Sequence, residues 1–142
     1  MVVDITDIEK TRELARDLAK STKKGNVIAL VGELGTGKTT FVQYLLQALG
    51  VEERVTSPTF ILQRAYELPT LQTSAYHIDL YRTENAGVAR DLTLDFDNQV
   101  TIIEWPQLLK DLLPERTKWI TFKLDGSKRT AEIRTKQKIT IS

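Results

Sequence analysis

Residues 27–39 read Val27-Ile28-Ala29-Leu30-Val31-Gly32-Glu33-Leu34-Gly35-Thr36-Gly37-Lys38-Thr39, and this stretch decides the fold. Val27 to Val31 is a short unbroken apolar run, the pattern of a parallel strand buried on both faces. Gly32 to Thr39 then matches G-x-x-x-x-G-K-[ST], a loop pattern suited to polyphosphate. Gly35 and Gly37 let the backbone curl so that successive N–H groups point at one anion. Lys38 adds a mobile positive charge near the outer phosphates, and the Thr39 hydroxyl can replace one water on Mg²⁺. Residues 38–49 carry a helical pattern, with Phe41, Leu45, Leu46 and Leu49 on one side and Gly50 at the stop. The helix N-terminus adds its partial positive charge to the anion site.

Upstream of this unit, Thr6 with Glu9 fits a capping box. It predicts a helix over 7–22 with Ile8, Leu14, Ala15, Leu18 and Ala19 on the inner side. Lys23-Lys24-Gly25-Asn26 turns into the buried strand. Downstream, Thr56-Ser57-Pro58-Thr59 is polar and interrupted by proline. Residues 60–67 and 74–81 alternate as the two arms of a hairpin. Residues 82–98 are charged and weakly patterned and read as a loop with a short helix. Val100 to Ile103 is a second apolar strand, ending in Glu104-Trp105. Pro106 suits a first helical position, which predicts a short helix over 107–113. Residues 118–124 and 130–141 read as strands around the turn Asp125-Gly126-Ser127-Lys128. The sum is one α/β domain over 1–142, a P-loop NTPase-like three-layer arrangement with a mixed β-sheet flanked by helices.

Composition narrows the function classes. The hydrophobic fraction is 41%, near the globular norm, which disfavours wholesale disorder. No apolar run approaches the roughly 20 residues of a membrane span. The acidic N-terminus MVVDITDIEK lacks the pattern of a secretory signal. The chain has no cysteine, which excludes disulfides and thiolate metal sites and is compatible with a reducing cytoplasm. Net charge is +1 but uneven, because eight of the basic residues and only three acids fall within 115–142. A solvated hairpin is the preferred reading of that segment, and contact with a nucleic acid or acidic partner the other.

A phosphate loop needs a second, acidic metal ligand at the tip of an apolar strand beside the loop strand. Glu104, after Val-Thr-Ile-Ile, fits. Asp79, in Tyr76-His77-Ile78-Asp79-Leu80-Tyr81-Arg82, competes for the role. Its strand is less continuously apolar and suits a sheet arm or a switch segment better than a central strand. Thr59 follows the loop helix at a distance where a switch could lie over the γ-phosphate. His77, the one histidine, reads as a structural residue ahead of an acid–base group. Trp105 suits either the site or the core. Arg82 and Arg129 are candidates to touch phosphate or base.

With these residues in hand, the chain resembles the TsaE (YjeE) family, small P-loop ATPases of bacterial tRNA threonylcarbamoyladenosine synthesis. The motifs that carry the resemblance are GELGTGKTT at 32–40, TSPTF at 56–60, YHIDLYR at 76–82 and IIEWP at 102–106. The resemblance implies that Lys38 and the backbone of Leu34, Gly35, Thr36, Gly37, Thr39 and Thr40 hold the phosphates of ATP. It implies that Thr39 and Glu104 hold Mg²⁺. Thr59 and Asp79 would belong to two switches needed for hydrolysis, and Trp105 would stand next to the site. The nucleotide would also meet the start of the first helix near Ile8, and Arg129 in the C-terminal hairpin. The implied partners are the TsaD and TsaB proteins of the transferase complex, with direct or indirect tRNA contact, no membrane and a cytoplasmic setting. The stretch 83–92, with Arg90, is less acidic than in relatives.

The implied activity is slow Mg²⁺-dependent hydrolysis of ATP to ADP and phosphate in support of tRNA modification. The alternative is a nucleotide-gated adaptor whose turnover is incidental. A GTPase would carry a guanine-reading Asn-Lys-x-Asp motif, which does not occur in the sequence.

Overall fold

A computed structural model describes residues 1–33, 35–55, 63–80, 94–109 and 111–135. The strands among them form one mixed sheet in the order β1-β7-β6-β2-β5-β4-β3. These are β1 (Val2–Asp4), β2 (Val27–Val31), β3 (Gln63–Leu68), β4 (Thr73–Asp79), β5 (Val100–Glu104), β6 (Lys118–Asp125) and β7 (Lys128–Arg134). The α-helices are α1 (Ile8–Ser21) and α2 (Lys38–Ala48). Strands β4, β5, β2 and β6 run parallel as neighbours, and β3, β7 and β1 add antiparallel edges. The loop strand β2 therefore lies inside the sheet, with β5 on one side and β6 on the other.

Strand alternation sorts the core into two faces. Ile28, Leu30, Ile102, Ile120 and Phe122 point to one face, where they pack with Leu14, Ala15 and Leu18 of α1 and Phe41, Val42, Leu45 and Leu46 of α2. Phe41 and Phe122 meet edge-on at 5.6 Å. Val27, Ile78 and Ile103 point to the other face. There Leu109 covers them, with Leu94, Phe96, Trp105 and Leu113 packed alongside. The two α-helices thus share one face, and shorter elements cover the second.

Several local readings change. The N-cap of α1 is Asp7, whose side chain accepts from the Glu9 N–H at 3.0 Å, not Thr6 in a capping box. The Thr6 hydroxyl is engaged elsewhere: it accepts from the Arg129 N–H at 2.9 Å. Asp4 accepts from the Thr6 N–H at 2.9 Å, and this bond holds its carboxyl below the usual carboxylate range. Ile8 is exposed rather than inward. Strand β1 has no counterpart in the sequence reading: a three-residue segment carries almost no periodic signal and is fixed by pairing with β7. A 3-10 turn over Pro106–Leu109 stands where the sequence predicts a helix over 107–113. Strand β4 is an interior strand, paired on both sides, rather than a peripheral arm. Among the described residues, no helix is long and apolar enough to cross a membrane.

Candidate phosphate-loop site

Strand β2 ends at Val31 and the chain turns at once. Gly32 has φ 152°, and a Cβ there would lie 2.6 Å from the Phe122 carbonyl oxygen, so β6 leaves no room for a side chain. Gly37 caps α2 in the left-handed region, with φ 104° and no side-chain cap. The first N–H groups of α2 are left without a capping side chain, as an anion site at a helix start requires.

Lys38 is only 5% exposed. Its ammonium donates to the carbonyl oxygens of Gly32 and of Glu33, the latter at 2.9 Å. It also lies 4.4 Å from the centroid of the Trp105 ring. Burial pushes the Lys38 ammonium below the usual lysine range, while Glu104, Asp79 and Glu33 pull it back up. Trp105 reaches this place through a left-handed backbone, φ 57°, an unusual conformation for a bulky residue. Its N–H donates to the Leu30 carbonyl at 3.3 Å, which ties the turn after β5 to the loop strand.

The acid that the sequence places beside the loop strand is there. Leu30 pairs with Glu104 in the parallel β2–β5 register, and Glu104 pairs with Asp79 across β5–β4. Both carboxylates therefore stand at the carboxyl ends of neighbouring strands, where α/β sheets bind ligands. Glu104 is 2% exposed. The Thr39 hydroxyl donates to Glu104 Oε1 at 3.2 Å. Glu104 Oε2 lies 2.6 Å from His77 Nε2. A hydroxyl and a carboxylate are hard oxygen donors. One or two such protein ligands are what Mg²⁺ takes when phosphates and waters supply the rest, so Thr39 and Glu104 fit a magnesium site.

A shallow pocket beside the loop is lined by Ile5, Thr6, Ile8, Thr11, Thr36, Gly37, Thr40 and Arg129. It brings Ile8 and Arg129, 121 positions apart in the chain, to the loop and to Thr40. Thr36 is buried and donates to the Glu33 carbonyl at 2.7 Å, bracing the turn. Gly35 has φ 78° and open space where a Cβ would stand. A larger groove between α1 and α2, lined by Arg12, Arg16, Lys20, Tyr44 and Gln47, lies away from these groups. Thr59, Leu34, Arg82 and the segment 83–92 lie outside the described residues.

Sequence reading missed two contacts. The bond from His77 to Glu104 joins different strands, and Thr6 engages the backbone of Arg129. Only the i, i+2 spacing of His77 and Asp79 hinted that both share a face of one strand.

The parallel strands, the glycine loop that opens α2 and the acid at the tip of β5 define an α/β domain of the P-loop NTPase-like class. Residues 5–135 match the family model described as "Threonylcarbamoyl adenosine biosynthesis protein TsaE". The TsaE protein of Bacillus subtilis is 38% identical over 121 residues, covering 83% of this chain and 74% of that one. The TsaE protein of Borreliella burgdorferi is 30% identical over 139 residues, covering 94% and 98%. A crystal structure of Bacillus subtilis YdiB superposes with a TM-score of 0.73 at 26% identity, covering 92% of this chain and 82% of that one. The chain belongs to the TsaE family, whose role is in tRNA threonylcarbamoyladenosine biosynthesis.

Proposed function

We propose that this chain binds ATP with Mg²⁺ in the phosphate loop and hydrolyses it to ADP and phosphate, in support of tRNA N6-threonylcarbamoyladenosine formation. The observation that carries this reading is the meeting of Thr39 and Glu104 at the open N-terminus of α2, beside the buried ammonium of Lys38. Charge develops on the γ-phosphoryl oxygens in phosphoryl transfer, and catalysis consists mainly of positioning and electrostatic stabilisation. Lys38 and the α2 N–H groups supply the fixed positive side of that interaction. Glu104 and Thr39 hold the magnesium ion, which neutralises phosphate charge when bound. Asp79, next to Glu104 in register, orients the attacking water or the metal's water shell. Ile8, Thr40 and Arg129 border the pocket that takes the rest of the nucleotide.

The partners in this reading are TsaD and TsaB, and the setting is the cytoplasm, where tRNA and ATP meet. The test is calorimetry with Mg²⁺ and ATP, followed by phosphate release with and without the TsaD–TsaB pair. Heat of binding and release stimulated by the pair are expected. No heat with or without the pair overturns the proposal. A Glu104→Ala variant that binds ATP, does not hydrolyse it and still sustains repeated tRNA modification would establish a nucleotide-gated adaptor instead.

A further inference from the structure

His77 is fully buried on β4, yet it is not a core residue by chemistry. Strand alternation puts Ala75, His77 and Asp79 on the face that carries α2. On the neighbouring strand, Ile102 and Glu104 share that face. His77 Nε2 lies 2.6 Å from Glu104 Oε2, and both side chains are buried, at 0% and 2% exposure. The other carboxylate oxygen, Oε1, accepts from Thr39. The two oxygens of one carboxylate are thus divided between a strand and the phosphate-loop helix.

The second ring nitrogen fixes the direction of the first bond. His77 Nδ1 is buried with no hydrogen-bond partner among the described residues. A proton on Nδ1 would be a donor without an acceptor, which costs more than a lone pair without a donor. The proton therefore sits on Nε2, and Nε2–H donates to Glu104 Oε2. This bond spans strands whose backbones are locked in register, so it fixes both torsion and depth of the carboxylate.

We propose that His77 is a positioning residue for the magnesium site. By holding Oε2, it keeps Oε1 turned to Thr39, so that carboxylate and hydroxyl converge on one cation. This inference rests on the function proposed above and adds a member outside the set that touches nucleotide or metal. Partners of ligating carboxylates typically contribute about tenfold to a hundredfold in metal affinity.

The test has two parts. His77 is the only histidine in the chain, so the imidazole ¹⁵N spectrum of the full-length protein without nucleotide reports on it alone. An Nε2–H tautomer is expected, with a strongly downfield proton that disappears in Glu104→Ala. An Nδ1–H tautomer, or a proton indifferent to Glu104→Ala, overturns the inference without any variant of His77. In the second part, the magnesium concentration that half-maximally enhances ATP binding is measured by calorimetry. His77→Leu is expected to raise it about tenfold to a hundredfold while magnesium-free ATP binding stays unchanged. His77→Gln, whose amide nitrogen can reach the position of Nε2, is expected to restore most of the loss. Equal behaviour of the Leu and Gln variants overturns the positioning role. Wild-type protein with no magnesium effect overturns the proposed function and this inference together. A wild-type effect retained in full by His77→Leu overturns this inference alone.

Discussion

The Thr39 hydroxyl donates to Glu104 Oε1 across 3.2 Å although the two residues are 65 positions apart in the chain. One stands in the first turn of α2, the other at the end of β5, and the sheet register brings them together. The two oxygen donors of the proposed magnesium site converge in this arrangement. Little rearrangement is then needed on loading, which is the sense in which binding sites are preorganised.

Lys38→Ala is expected to lower phosphate release by about a hundredfold or more, the scale seen when one oriented electrostatic group is removed from a transition-state site. Single-turnover phosphate release measures it. Unchanged release in the variant would remove Lys38 from the site.

Lys38 also makes stability depend on pH. Its folded-state pKa is below the ordinary lysine value because of burial, so the unfolded chain binds more protons between the two values. Stability therefore rises with pH through that window, toward the usual lysine range. In Lys38→Met this rise is expected to vanish, and the melting temperature of wild type should climb relative to the variant as pH is raised. Parallel pH profiles of the two proteins would contradict the assignment.

Gly32→Ala is expected to destabilise the fold by about 3 kcal/mol. A Cβ at Gly32 would stand 2.6 Å from the Phe122 carbonyl oxygen, in a backbone region unsuited to alanine. Urea unfolding measures the loss. By contrast, Gly35 has open space at its Cβ position but φ 78°, so Gly35→Ala should cost only about 1 kcal/mol.

Arg129 separates binding from folding. Its backbone N–H donates to the Thr6 hydroxyl, and the residue lines the pocket with Ile8 and Thr40. Arg129→Ala is expected to weaken ATP binding about tenfold, the value of one charge-assisted hydrogen bond, with an unchanged melting temperature. Thr6→Val, which removes the hydroxyl that accepts from the Arg129 N–H, should cost about 1 kcal/mol of stability. Calorimetric affinities and thermal melts on both variants decide it.

Much of the site was legible because its signals are local. The glycines of the loop, Lys38 and Thr39 fall within eight residues, and each is required by backbone geometry or phosphate chemistry at that spacing. The place of β5, next to the loop strand with Glu104 at its end, was legible from its apolar run. The position of β4 was misread: with Ser74, Tyr76 and His77 it lacks the continuous apolar pattern of an interior strand. Its partners on both sides supply burial that its own composition does not advertise. The N-cap was misplaced by one residue because Thr6 has a long-range partner that a capping rule cannot see.

The chain alone determined the strand, the curled loop and the helix that begins at Lys38, since those depend on φ freedom, helix periodicity and residue chemistry over a few neighbours. Tertiary structure alone decided which groups meet there. The parallel register of β2, β5 and β4 sets Asp79 beside Glu104 and brings His77, one same-face step back on β4, within hydrogen-bond reach of Glu104, and the pairing of β7 with β1 delivers Arg129 to Ile8. Those meetings depend on hydrogen-bonded alignment between distant segments, which no local pattern encodes.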